Sequence, residues 1–441
     1  MGRRRRNRIP QEPLEAVVTG LSHEGRGIVP VDGKTVFVHG ALPGERVIFR
    51  YTRTHRRFDE GVAIEILDAA PDRVAPACAA YSVCGGCSLQ HMQSERQIAF
   101  KESVLLELFQ RFGEVAPETV LPPLRDAVWG YRRKARLAVK QVPGKGRVLV
   151  GFRERGSPFV ADMRACEVLD PRVGHRLEEL SALVGGLGIA DRIPQIEVAI
   201  GDEDVTLVFR NLSPPGAQDL QELAAWGRTR GIQIYLQPGN ESTITPVWPE
   251  SPELTYSTGD VRLHFLPTDF TQVNAGINRQ MLARAMELLA PRPEDRILDL
   301  FCGIGNFSLP LARCAGEVAG VEGEESLVRR ARENATLNCI GNAAFHVADL
   351  SKPVDHLPWA RSAFSKVLLD PPRTGAADIL PQVADLGAKR ILYISCNPAT
   401  LARDAGALVH DHGYLLRQAG VMDMFPHTAH VESIALFERQ A

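Results

Sequence analysis

The stretch Arg296-Ile-Leu-Asp-Leu-Phe-Cys-Gly-Ile-Gly-Asn306 decides the fold. An apolar run of strand length ends in a turn with glycines at 303 and 305, where the backbone can take left-handed conformations and let a ligand approach closely. A helical segment, Phe307 to Cys314, follows. The third glycine of the dinucleotide fingerprint is missing, so the turn alone is weak. It gains weight from Glu322, which ends the next apolar run 19 residues beyond Gly303, where a carboxylate can accept ribose hydroxyls. Asp349 ends the run after that, in His346-Val-Ala-Asp-Leu350.

Outward from this turn, the pattern predicts a helix near 278–290 and strands at 296–301, 317–321, 343–347, 366–370 and 390–395, with helical segments between most of them. Alternation of this kind implies a parallel, doubly wound, Rossmann-like sheet that binds ligands at the carboxyl ends of its strands. Phe301, the glycine turn, Glu322 and Asp349 together resemble the S-adenosylmethionine site of class I methyltransferases more than an NAD site.

The fourth strand runs into Asp370-Pro-Pro-Arg-Thr-Gly375, a loop stiffened by two prolines, and the fifth into Ser395-Cys-Asn-Pro398. Cys396 therefore faces the same crevice as Asp370. Near the C-terminus, in Met424-Phe-Pro-His-Thr-Ala-His-Val-Glu432, Glu432 precedes a strand-like run, and His427 and His430 are its rivals as a base. A cysteine and a base suit methylation of uracil carbon 5, a weak nucleophile bearing a hydrogen that must leave. A thiolate adding to carbon 6 activates carbon 5, and a base then removes the proton.

Asp370-Pro-Pro-Arg373, Ser395-Cys-Asn-Pro398, His427-Thr-Ala-His-Val-Glu432 and Asp269-Phe-Thr-Gln-Val-Asn274 resemble the motifs of the RNA (uracil-5-)-methyltransferase family. The resemblance covers essentially the whole chain. It implies Cys396 as nucleophile and Glu432 as base. Around the cofactor and the uracil it implies Gln272, Phe301, Asn306, Glu322, Asp349 and Asp370.

Before the catalytic segment, residues 15–66 read as five short strands punctuated by Gly and Pro, a small closed barrel. The turns Gly20–Gly27 and Gly40–Arg46 resemble those of the TRAM domain, an OB-like RNA-binding barrel. Pro71 to Pro76 reads as a linker, and residues 94–113 as a helix opened by a Ser94-x-x-Gln97 capping box. Residues 131–260 mix strand and helix signals. The expected architecture is a multidomain α/β chain: a barrel over 10–68, a central α+β domain over 69–265, and a methyltransferase domain over 266–441. The helix at 94–113 is a candidate to pack on the last of these.

The central segment carries Cys78, Cys84 and Cys87 in one tight cluster and Cys166 far downstream, a thiolate set for zinc or an iron–sulfur cluster. Within the resembled family, the branch joining a TRAM domain to this cysteine pattern carries a 4Fe-4S cluster and acts on 23S ribosomal RNA. Members acting on transfer RNA typically lack both barrel and cysteines. The alternatives are thus a transfer-RNA uracil-C5 methyltransferase and a non-catalytic iron–sulfur RNA-binding protein. Cys302, Cys314 and Cys339 read as packing residues.

The formal net charge of −2 hides uneven segments. Residues 1–60 hold 12 Lys/Arg against 7 Asp/Glu, and residues 131–164 hold 10 against 2, patches suited to phosphates. The strand Tyr131-Arg-Arg-Lys-Ala-Arg136 also resembles an RNA-contacting strand of the family. No apolar run reaches the roughly 20 residues of a membrane helix, and no secretory signal follows the basic N-terminus. A cytoplasmic protein without an obligate protein partner is expected.

Overall fold

The structure is a computed structural model and describes residues 9–440. The arginines of the N-terminal basic run, Arg3 to Arg6 and Arg8, lie outside the described residues. The chain forms two compact units: one runs to Lys101 and takes in Phe425–His430, and the other comprises Glu102–Met424 and the segment from Val431.

In the first unit, the strands Leu14–Val17, Gly20–Leu21, Gly27–Val31, Lys34–His39, Arg46–Thr54 and Phe58–Asp68 make one sheet. The two short opening strands belong to one bent segment. Leu14–Val17 pairs with Arg46–Phe49, whereas Gly20–Leu21 pairs with Gly27–Ile28, so a single stretch meets both edges and closes the barrel. Burial alternates along these strands, and Val18, Val29, Val36, Val38, Val47 and Phe49 fill the interior. Gly27 is needed for closure: a Cβ there would meet Val18 Cγ1 at 2.9 Å and the Ala41 carbonyl oxygen at 3.0 Å.

The helix predicted over 94–113 forms as Ser94–Leu108 continued by a π-helical turn, Phe109–Gly113. Its expected capping residue Gln97 does other work. The buried Gln97 amide donates to the Leu89 and Met92 carbonyls at 3.0 and 2.8 Å and accepts from His427 N at 2.8 Å. Ser88 N and Leu89 N both donate to the His427 carbonyl at 2.9 Å. The segment Phe425–His430 is thereby sewn to the cysteine-bearing turn and the helix that follows it.

The second unit contains two large sheets. The central one orders its strands Thr245–Trp248, Ile232–Gln237, Val205–Arg210, Gln195–Ile200, Lys134–Val142 and Arg147–Gly151. Helices Leu177–Gly186 and Ala217–Arg230 accompany it. The other sheet has eight strands. Ala343–Val347, Glu317–Glu322, Arg296–Leu300, Lys366–Leu369 and Arg390–Ser395 are parallel neighbours in that order. All five lie within a residue of the expected strands. Beyond them Glu432–Arg439 runs antiparallel between Arg390–Ser395 and Tyr414–Met422, and Thr119–Val120 adds a short last strand. The hairpin ending requires no crossover helix, which is how the chain finishes the sheet within its last residues.

Helix Pro398–His410 follows the fifth strand, with Asn397 as its cap and proline in its first turn. The end of the π-helical turn packs tightly on it: His410 bonds the Gly113 carbonyl at 3.0 Å, and a Cβ on Gly113 would lie 2.4 Å from the Ala402 carbonyl oxygen. Among the described residues no helix is long and apolar enough to cross a membrane. Gly113→Ala should therefore force these two backbones apart and destabilise the second unit by about 1–3 kcal/mol. Urea titration followed by circular dichroism checks this, and an unchanged midpoint would contradict the close packing.

Candidate active site

The strand Arg296–Leu300 breaks into the cofactor turn at Phe301, a non-glycine residue with φ of +65°, followed by Gly303 at +54° and Gly305 at +93°. Phe301 N and Cys302 N both donate to the Val321 carbonyl, at 2.8 and 3.1 Å, so the neighbouring strand holds the turn. No atom lies within 4 Å of where a Cβ on Gly303 would stand, which leaves the turn open for a ligand. At the end of that neighbouring strand, Glu322 accepts hydrogen bonds from Gly303 N at 3.2 Å, Gly323 N at 2.6 Å and Glu324 N at 3.2 Å. Its carboxylate is fixed at the lip of the turn before any ligand arrives.

Asn306 forms a reciprocal amide pair with Asn278, at 3.2 and 3.1 Å, and also accepts from Tyr256 Oη at 3.1 Å. Tyr256, Asn278 and Gln272 line one narrow cavity. Sequence reasoning missed Tyr256 and Asn278. A signal for Asn278 existed, since it is a polar residue on the apolar face of helix Ala275–Leu289 and is buried there. Asp349 is placed differently from the rest: it is exposed and bonds Ser351, with Lys352 at 2.8 Å, which together hold its carboxyl down to about 2.

The carboxyl ends of the central strands gather acids. Asp299 is fully buried and accepts from Ser308 Oγ. Burial pushes its carboxyl up to about 7, with Asp370 and Glu322 adding to the shift. Asp370 keeps some exposed surface, yet the lost solvation around its carboxyl pushes it to about 7 as well. Cys396 is half-buried, and its thiol rises to about 11, first through burial and then through the charges of Glu432 and Asp370; Arg373 pulls the other way. These mutual effects put Glu322, Asp299, Asp370, Cys396 and Glu432 within electrostatic reach along one sheet end.

Strand register aligns the two residues expected to do the chemistry. Ser395 pairs with Ser433, and the Ser433 hydroxyl bonds the Ser395 carbonyl at 3.3 Å, so the next step along each strand reaches Cys396 and Glu432. Glu432 is buried. The Pro-Pro-Arg loop is tied to the cysteine loop through the Arg373 carbonyl, which accepts from Asn397 Nδ2 at 3.0 Å. Buried Asp404, also missed from the sequence, accepts from Ala376 N at 2.8 Å and Tyr393 Oη at 2.6 Å and fixes the far end of that loop. Of the rival bases, His427 is buried and its backbone is consumed by the bonds described above, while His430 stacks edge-on with Phe425 at 4.7 Å.

Within the two basic patches the side chains are placed differently. The Lys134 ammonium is enclosed, bonds the carbonyls of Pro267 and Asp269 at 2.6 and 2.5 Å, and is pushed down to about 8 by burial. Arg133 pairs with Asp202 at 2.7 Å. Arg136 stays exposed. On the barrel, Arg50, Arg53, Arg56 and Arg57 are exposed and have no carboxylate partner among the described residues. The cysteines expected as ligands are mostly buried: Cys84, Cys87 and Cys166 fully, Cys78 partly. Gly86 N donates to Cys84 Sγ at 3.4 Å. Among the described residues, no three or more His, Cys, Asp or Glu side chains stand together as a metal site.

Residues 251–440 match the tRNA (Uracil-5-)-methyltransferase family model, and residues 12–64 match the TRAM domain. A protein of Alkalilimnicola ehrlichii named 23S rRNA (uracil(1939)-C(5))-methyltransferase RlmD is 61% identical over 444 residues, covering 100% of both chains. Its namesake in Methylococcus capsulatus is 53% identical over 443 residues, again covering 100% of both. The crystal structure of Pyrococcus abyssi tRNA (uracil-54, C5)-methyltransferase in complex with S-adenosyl-L-homocysteine shares the fold, with a TM-score of 0.74 and 24% identity over 96% of this chain and 99% of that one. An enzyme named for transfer RNA thus shares this fold over nearly the whole chain. Full-length identity is what decides: this chain belongs to the family of 23S rRNA (uracil-C5)-methyltransferases named RlmD.

Proposed function

We propose that this protein transfers the methyl group of S-adenosylmethionine to carbon 5 of a uridine in 23S ribosomal RNA, the position its relatives' names give as 1939. The observation that carries the reading is the register that sets Cys396 and Glu432 side by side at the sheet end, next to Asp370. A non-catalytic RNA-binding protein has no use for that arrangement. The transfer-RNA reading shares the fold, but the full-length relatives at 61% and 53% identity are named for 23S rRNA. A cytoplasmic location goes with a ribosomal RNA substrate.

The residues present fit S-adenosylmethionine, with an open glycine turn at Phe301–Gly305 and a pre-set Glu322 carboxylate for ribose hydroxyls; Asn306, Gln272, Asp349 and Asp370 are proposed to complete the site. That group supplies an electrophilic methyl. Cys396, once its proton has passed to solvent to leave the thiolate that Arg373 favours, adds through sulfur to uracil carbon 6; the electron pair this places on carbon 5 takes the methyl, releasing S-adenosylhomocysteine. Glu432 then takes the proton from carbon 5, and the sulfur–carbon bond breaks to restore the double bond and the free thiolate. The target base must leave its stack to reach Cys396. Exposed Arg50, Arg53, Arg56 and Arg57 of the barrel hold RNA phosphates, as their lack of carboxylate partners suits them to do.

Cys78, Cys84, Cys87 and Cys166 are proposed as ligands of a 4Fe-4S cluster in the central segment. Support comes from the chemistry of the donor set, which is all thiol and largely buried, and from the Gly86 N–H directed at Cys84 sulfur. Methyl transfer needs no electron, so the cluster's role is structural or RNA-positioning.

Three outcomes are expected. With labelled S-adenosylmethionine and undermodified 23S rRNA, the protein incorporates methyl, Cys396→Ala incorporates none, and Glu432→Gln stalls as a covalent protein–RNA adduct visible on denaturing gels. Wild-type activity in Cys396→Ala would remove the thiol from the reaction. In the free protein, iodoacetamide labelling of Cys396 should climb about tenfold per pH unit from pH 8 to 10, and be slower still in Arg373→Ala. A plateau by pH 8.5 would contradict the raised thiol. Anaerobically purified protein should contain about four irons per chain and lose them in Cys87→Ala; stoichiometric zinc would overturn the cluster.

A further inference from the structure

The central sheet bears a polar platform where a packed sheet face would be apolar. Register sets Gln195, Arg210 and Gln237 in one row across three strands, and Arg136 beside Glu197 in a second row of the same face. With Asn240, Glu241 and Ser242 at the rim they enclose a cavity of about 540 Å3, within the size range of small-ligand sites. Two groups on it are left unmet. Gln237 is 3% exposed, and its Oε1 has no hydrogen-bond donor among the described residues; Arg210 has no ion-pair partner there. Glu197, also buried, accepts from Gln195 Nε2 at 2.8 Å and forms an ion pair with Arg136 at 3.1 Å, which orients its carboxylate over the platform.

A buried amide oxygen and a carboxylate ask for N–H donors, while an unpaired guanidinium asks for acceptors. Guanine offers both on one ring, with N1–H and N2–H on one edge and the O6 and N7 acceptors beside them, the pair that arginine reads. A phosphate alone would meet Glu197 and Glu241 unfavourably. We propose that this cavity is a second nucleotide site, reading one unpaired guanine of the RNA substrate away from the methylated uridine. Gln237 and Glu197 accept from its amino and imino groups, and Arg210 donates to its acceptors. The proposal rests on the ribosomal RNA reading above and adds a determinant of which RNA is chosen.

The test uses the full-length protein and a 23S rRNA fragment containing the target uridine. Filter binding and methyl-transfer kinetics are compared for wild type, Arg210→Ala and Gln237→Leu. Arg210 lies at the surface, so its variant keeps the fold if the Gln237 variant does not. Arg210→Ala should raise Kd and KM about tenfold with kcat unchanged. Replacing unpaired guanosines singly by inosine, which lacks the N2 amino group, should reproduce part of the loss at one position, and that position should have no effect in Arg210→Ala. Wild-type Kd in both variants would overturn the site, and a loss indifferent to every inosine would overturn guanine reading. Binding is measured without turnover, so a protein that binds the RNA but transfers no methyl would refute the proposed reaction and leave this test standing.

Discussion

Antiparallel pairing of Glu432–Arg439 with Arg390–Ser395 is the constraint on which the candidate site depends. Side chains on a strand alternate faces, so a slip of one residue would turn Glu432 away from Cys396 and send Ser433 in its place. The register is held on both sides, because Tyr414–Met422 pairs with the same strand along its whole length. Apolar burial enforces it: Ile434, Leu436 and Phe437 are buried in the sheet. The last strand thus brings a carboxylate to a cysteine located more than thirty residues earlier.

That convergence has an electrostatic consequence. Asp299, Asp370 and Cys396 stand in one poorly solvated strip, and burial first, then for Asp299 and Cys396 the charges of neighbouring carboxylates, favours their protonated forms. A resting thiol is the result, protected from alkylation and oxidation, since only the thiolate is reactive. Arg373, on the loop that Asn397 and Asp404 hold in place, is the charge that favours the thiolate. Its position explains why the Pro-Pro-Arg loop is tethered at both ends.

Much of this was legible in the sequence because it rests on periodicity and local turn chemistry. The five parallel strands, the Phe301–Gly305 turn and Cys396 at a strand end all follow from runs of apolar residues closed by Gly or Pro. What was not legible depends on partners distant in sequence. Gln97 looked like a capping residue and instead bonds His427, 330 positions away. Lys134 stands in a strand that resembles an RNA-contacting one, and its ammonium bonds inward to the carbonyls of Pro267 and Asp269. A charged residue's fate is set by which carbonyls surround it, and no local pattern encodes that. Asn278 and Asp404 are an intermediate case, since each interrupts the apolar face of a helix and a buried polar group must find partners.

The shared fold with an enzyme named for transfer RNA shifts the question of substrate choice from architecture to surface. The two chains share a fold over nearly their whole length, so the fold alone does not distinguish a ribosomal from a transfer RNA. Contacts to phosphate, of the kind the exposed barrel arginines can make, add affinity but are indifferent to sequence. The catalytic crevice reads a uracil, which both RNAs contain. Discrimination then has to come from side chains that read other bases, and the unmet Gln237 and Arg210 on the central sheet are of the kind that leave a cost unless the right base is present.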